Sequence, residues 1–361
     1  MKRAQTLISA SRLGLLAVVG LLSACSGLSY YTHLAEGQYA LLAKRKPIAV
    51  LLANPKTDAA LRPRLQLALD ARAYASEVLK LPRNGSYTQY ADLGRPFVLK
   101  NVFATPEFSL NAVEHCFPIA GCVAYRGYYD AALAEGEAAR LKAAGNDVYI
   151  GDVPAYSTLG WFDDPVLNTM LRWSDDELVG TIFHELGHQR LYVKNDTSFN
   201  ESFATFVEQE GLRQWHAARS LPPGDSLRTQ RADQFTALVL AARTRLKALY
   251  ALDLPPTTMR ERKQQEIEQL RADYRQLRDG TWAGYSGYDN WMNAAINNAK
   301  LLPFGLYHQW LPAFAALYAQ SDRDWPTFYL GAKRLADLKP AARTAALEQL
   351  QASAATPAAA S

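Results

Sequence analysis

Among the 361 residues, the stretch from Ser174 to Ala204 constrains the fold more than any other. Ser174 and Glu177 form a capping box, which opens a helix. Asp175, Asp176 and Glu177 fill its first turn, where acids suit the helix dipole. His184 and His188 stand four apart on that helix, so their side chains share one face about a turn apart. Two imidazole nitrogens so placed can bind one Zn²⁺. Glu185 follows the first histidine. The segment His184-Glu185-Leu186-Gly187-His188 is thus an H-E-x-x-H arrangement, two metal ligands and a general base.

Catalytic zinc takes a third protein ligand and keeps an open position. Asn200-Glu201-Ser202-Phe203-Ala204 supplies one, with Glu201 thirteen residues beyond His188. That interval lets the first helix end, turn at Asn195-Asp196 and return as a second helix. Two neutral imidazoles and one carboxylate leave the site positive, which helps polarise water and a carbonyl. The sequence leaves alternatives open. Ser198 and Glu201 are themselves spaced as a capping box, which makes the glutamate a cap. Glu208, two turns further on, is a rival third ligand.

The N-terminus reads as an address. Lys2, Arg3 and Arg12 precede an apolar run, Leu13 to Leu22, of signal-peptide length and short for a bilayer span. Leu22-Ser23-Ala24-Cys25 resembles a bacterial lipobox, in which the cysteine is lipidated. Residues 1–24 are then a signal peptide. Cys25 is then expected to be the membrane anchor, held by several acyl chains; an ordinary cleavable signal with a chance cysteine is the alternative. Ser26 after the cysteine favours the outer membrane, with the domain facing the periplasm. The net charge of +4, from 39 bases and 35 acids, includes those three leader bases. No basic stripe is left to mark a nucleic-acid partner. In an oxidising compartment Cys116 and Cys122, flanking Pro118 and Gly121, suit a disulfide. Two buried thiols are the alternative, and a metal site with His115 lacks a fourth ligand.

With 49% apolar and 20% charged residues the chain is of globular composition. It shows no repeat that would make a solenoid. Helical patterns cover 29–46, 58–80 and 131–144; strand patterns cover 96–103, 122–130, 148–150 and 155–159. Residues 226–252 and 258–279 read as a helical hairpin within 226–280, and 290–320 as helix interrupted near Pro303. The Ala-rich end, 346–361, reads as disordered. The expectation is one α+β domain over 25–345, predominantly helical.

Several motifs carry a resemblance. H-E-x-x-H followed by N-E-x-x-A is similar to the gluzincin branch of zinc metallopeptidases, which implies Glu201 as third ligand. Tyr125-Arg-Gly-Tyr-Tyr129, Ala155-Tyr-Ser-Thr-Leu-Gly-Trp-Phe162, Ile182 to Gln189, Asp196 to Ala204 and Asn297-Asn-Ala-Lys300 resemble the putative aminopeptidase family of proteobacterial lipoproteins. The likeness runs over most of residues 30–330. It implies a zincin-like fold with a small sheet beside the active helix, one zinc ion and a peptide substrate. By this resemblance residues 155–160 pair with the substrate backbone. Glu185 takes a proton from zinc-bound water and returns it to the leaving amine. Tyr156, Tyr285, Tyr288 and His308 are candidate oxyanion donors; Glu208, Glu210 and Asp163 are candidates to hold an α-ammonium group. Endopeptidase action, hydrolysis of a cell-wall amide and a non-catalytic scaffold are the rival readings. Oligomeric state is not legible in the sequence.

Overall fold

The computed structural model describes residues 29–117, 121–153, 155, 157–222 and 226–355. The lipobox and Cys25 lie outside them. Helix α1 (29–42) leads through β1 (Lys46–Pro47) and α2 (Ile48–Ala53) to α3 (Leu61–Glu77). Strands β2 (Gln89–Ala91), β3 (Leu99–Pro106), β4 (His115–Phe117), β5 (Gly121–Val123) and β6 (Tyr125–Tyr128) follow. Helix α4 (Ala131–Ala143), β7 (Asn146–Val153) and β8 (Val166–Leu167) complete the mixed part. The main sheet is antiparallel in the order β6-β3-β7; β1-β2-β8 and β4-β5 are small separate sheets. Cys116 and Cys122 face each other across β4 and β5 and are joined by a disulfide.

The rest is helical: α5 (Asp175–Arg190), α6 (Thr197–Ala218), α7 (Ser226–Tyr250), α8 (Pro256–Gln276), α9 (Asp289–Asn293), α10 (Asn298–His308), α11 (Leu311–Gln320), α12 (Trp325–Ala336) and α13 (Pro340–Ala355). This is a predominantly helical α+β fold. The largest core gathers α3, α5, α6, α11 and α12 around Phe183, Phe199, Phe203, Phe314 and Phe328, all fully buried. The α7–α8 hairpin has a second core of its own, built on Phe235, Leu246, Ile267, Leu270 and Trp282.

Three sequence expectations need correction. The strand patterns at 148–150 and 155–159 resolve into one strand, Asn146–Val153; residues 155 and 157–160 form no strand. Leu159 and Gly160 adopt positive φ, which ends extended structure. The C-terminal residues 346–355 are not a disordered tail but continue α13, because Leu347 is buried against the main core. Pro303 lies inside α10, whose first turn is fixed by the Asn297 cap; the breaks within 290–320 fall at residues 294–297 and after His308.

Candidate active site

Helix α5 begins at the expected cap. Ser174 Oγ accepts from Glu177 N, and Glu177 Oε2 accepts from Ser174 N at 2.9 Å. Its partner α6 is capped by Asp196, whose carboxylate accepts from Phe199 N at 3.0 Å. Ser198 lies within α6, so Glu201 is no cap and is free for another role. Arg343 of α13 holds the other Asp196 oxygen at 2.8 Å. Asn200 clamps the connection between the helices, accepting from Val193 N at 2.7 Å and donating to Val193 O at 2.8 Å. The helices then pack very closely. A Cβ on Gly187 would sit 3.3 Å from the Ala204 Cα, so a glycine between Glu185 and His188 allows the approach. The Asn and Ala of N-E-x-x-A thus set the turn and the helix spacing, and the glutamate is left facing the histidines.

His184, His188 and Glu201 form the one group among the described residues with three potential metal-ligand atoms close together, all within 4.8 Å. Glu201 Oε2 is 3.4 Å from His184 Nε2 and 3.5 Å from His188 Nε2. Neither contact has hydrogen-bond geometry, and this buried oxygen has no hydrogen-bond partner. Around a tetrahedral ion with bonds of about 2.0–2.1 Å, neighbouring ligand atoms lie about 3.3–3.4 Å apart. The three side chains therefore fit one metal ion. Burial would raise the Glu201 carboxyl, but His188 and His184 bring it down to about 2. Burial would lower His184, but Glu201 and Glu208 hold it well above the ordinary range. Glu208 meets His184 on its other nitrogen, Nδ1, at 3.0 Å. It thus orients the ring and is not a rival ligand.

Glu185 is buried, which raises its carboxyl pKa against the pull of both histidines. It lies where two cavities meet. One, about 400 Å³, is bounded by β7 residues Tyr149, Gly151 and Asp152, by Trp173 and by Glu208. The other, about 440 Å³, lies under α1 and is lined by Tyr30, Leu34, Tyr125, Tyr129 and Tyr192. Asn101, Val153, Ala155, His184, Glu185 and Tyr307 border both. The Tyr307 ring lies 6.0 Å from the His184 ring at 23°. Burial and the Glu201 charge push its phenol well above the ordinary range. Tyr125 is pushed up for the same reasons.

The oxyanion candidates read from sequence lie elsewhere. Tyr285 is exposed beside Arg231, and Tyr288 stacks on Phe235 in the hairpin core at 4.0 Å. His308 contacts Phe304 O and borders neither cavity; Tyr156 lies outside the described residues. Of the ammonium candidates, Glu210 is paired with Arg213 and Asp163 packs against Gly85. Sequence reasoning missed Tyr307 and Asn101. Tyr125 was legible within the Tyr125–Tyr129 motif but had no role. The Asn297–Lys300 motif explains how Tyr307 is placed. Asn297 caps α10 and donates to Val148 O of β7 at 3.0 Å; Asn298 accepts from Tyr250 of α7 at 2.9 Å and donates to Glu107 O at 2.9 Å.

Neither the curated proteins nor the solved structures searched include a match to this chain. A family model described as "Putative aminopeptidase" matches residues 29–347, a span that contains both cavities and every residue of the cluster. By that match the chain belongs to the putative aminopeptidase family, whose description carries peptide hydrolysis.

Proposed function

We propose that the chain is a zinc-dependent peptidase that removes N-terminal residues from peptides. The observation that carries this reading is the unpartnered Glu201 Oε2 between two imidazole nitrogens at 3.4 and 3.5 Å, with Glu185 buried beside them. Zinc bound there would act as a Lewis acid and lower the pKa of a water toward 7. Glu185, its pKa raised by burial, can take a proton and return it to the leaving amine. Glu208 fixes the ring of His184 so that Nε2 faces inward. Tyr307 keeps its proton at physiological pH and can donate a hydrogen bond to a substrate carbonyl oxygen.

Strand β7 offers the substrate an edge. Val153 O accepts from Val98 N, so alternation turns the backbone groups of 148, 150 and 152 to the outer side. Asn297 takes the Val148 carbonyl; those of Ile150 and Asp152 suit an added peptide strand. The reading extends to the cell. Residues 1–25 support a lipid anchor at Cys25 on the outer membrane, facing the periplasm, and the Cys116–Cys122 disulfide suits such a compartment.

The cavities on both sides of Glu185 favour one second reading, an endopeptidase, since they leave room on either side of a scissile bond. Mass spectrometry of products from free and N-acetylated peptides decides between them. Stepwise loss of N-terminal residues from free peptides alone supports the aminopeptidase. Internal cuts in both peptides support the endopeptidase.

A further inference from the structure

Three residues lie in one row across the main sheet. Asn101 of the central strand β3 pairs with Gly127 of β6 on one side and with Gly151 of β7 on the other. This row belongs to the sheet face that also carries Leu99, Phe103, Tyr125, Tyr149 and Val153, and those residues line the cavities around Glu185. Each choice in the row weakens a sheet. Glycine inside a strand forfeits packing and costs conformational entropy. Asparagine is a poor strand residue. Asn101 is only 8% exposed, and its buried Oδ1 has no hydrogen-bond partner. An unpaired buried amide is destabilising.

Removal of two side chains opens a notch in the sheet face. A Cβ on Gly127 would stand 3.1 Å from Asn101 Oδ1, and one on Gly151 would stand 3.3 Å from the Tyr149 ring. The Asn101 side chain stands in this row on the face that carries Leu99, Phe103, Tyr125, Tyr149 and Val153. Rotation about its last torsion presents the amide as donor or acceptor, the pair of functions that a peptide group complements.

We propose that Gly127, Asn101 and Gly151 form a subsite for the peptide backbone next to the scissile bond, with the Asn101 amide hydrogen-bonded to a neutral peptide group. This rests on the peptidase reading above. The test is calorimetric binding of free and N-acetylated tripeptide amides to the zinc-loaded Glu185→Gln protein, alone and with Asn101→Leu or Gly151→Ala, beside thermal melting of each. Asn101→Leu is expected to weaken both peptides by about tenfold or more without lowering the melting temperature. Gly151→Ala is expected to weaken them by narrowing the notch while Asn101 stays in place. Equal affinity with and without Asn101, a loss confined to the free-amine peptide, or melting that falls as binding falls each overturns the proposal. If the Glu185→Gln protein binds zinc but neither peptide, the peptidase reading fails first, and the subsite fails with it.

Discussion

Two helix pairs of this molecule are built to opposite rules. In the α7–α8 hairpin and its supports, buried polar groups have partners. Arg245 pairs with Glu266 at 2.7 Å, and Lys263 pairs with Asp147 at 2.6 Å while donating to Glu107 O at 2.8 Å. None of the buried side-chain atoms left without a hydrogen-bond partner among the described residues lies between 226 and 281. The α5–α6 pair is closer packed and less satisfied. Gly187 against Ala204 brings the helices together, yet Glu201 Oε2 and His188 Nδ1 are buried without hydrogen-bond partners. One pair is arranged for stability. The other holds a carboxylate oxygen, Glu201 Oε2, that a bound ion would satisfy, and it keeps the helices in place with Asn200, Asp196 and Arg343.

The contrast breaks most sharply at Glu201. Glu201→Ala should abolish zinc binding and lower peptide hydrolysis by more than about a thousandfold, while the protein stays folded. Metal analysis and melting curves on the same sample check both halves. Lys263→Met should do the reverse. Loss of the ammonium leaves the half-buried Asp147 carboxylate with the Asn298 N–H alone, at about 2 kcal/mol of stability, while zinc content is unchanged. Denaturant unfolding reads the first quantity and metal analysis the second. A smaller effect is expected at Glu208, where Glu208→Gln should weaken zinc affinity or turnover by about 10–100-fold. Competition with a chelator measures it.

A further effect is in pH dependence, and it belongs to the α5–α6 side. Asp164 accepts from Thr158 N and Oγ1, each at 2.9 Å. Burial pushes its carboxyl up to about 7, with the Glu185 and Asp163 charges adding to the rise against those two bonds. A folded-state pKa above the ordinary carboxyl value means stability that is present in acid and lost as pH rises from about 4 through 7. Across that window the wild type should lose about 4 kcal/mol relative to Asp164→Asn. Parallel stability curves of the two proteins through that window would contradict the assignment.

The legible parts of this chain are those written in local spacing. Ser174 with Glu177, His184 with His188, and the hairpin at 226–280 follow from helical periodicity and caps alone. Glu201 was legible as a ligand only beside a rival cap at Ser198, because one capping spacing fits both Ser198 and Asp196 nearby; the structure gives the cap to Asp196. Tyr307 was hidden, since its place depends on α10 being docked to β7 and α7 through Asn297 and Asn298. Asn101 carries no local signal at all. Its setting appears only when three strands distant in sequence fall into register. The alanine-rich end was misread for a related reason: Leu347 and Arg343 have partners in the main core and at Asp196, far away along the chain.

The most direct test of the central claim measures bound zinc and peptide turnover on the same preparations of wild type and Glu185→Gln. One zinc per chain in both, with turnover in the wild type and a loss of more than about a thousandfold in the variant, is the predicted result. Equal turnover in the two proteins, or a wild type that binds no zinc, would contradict it.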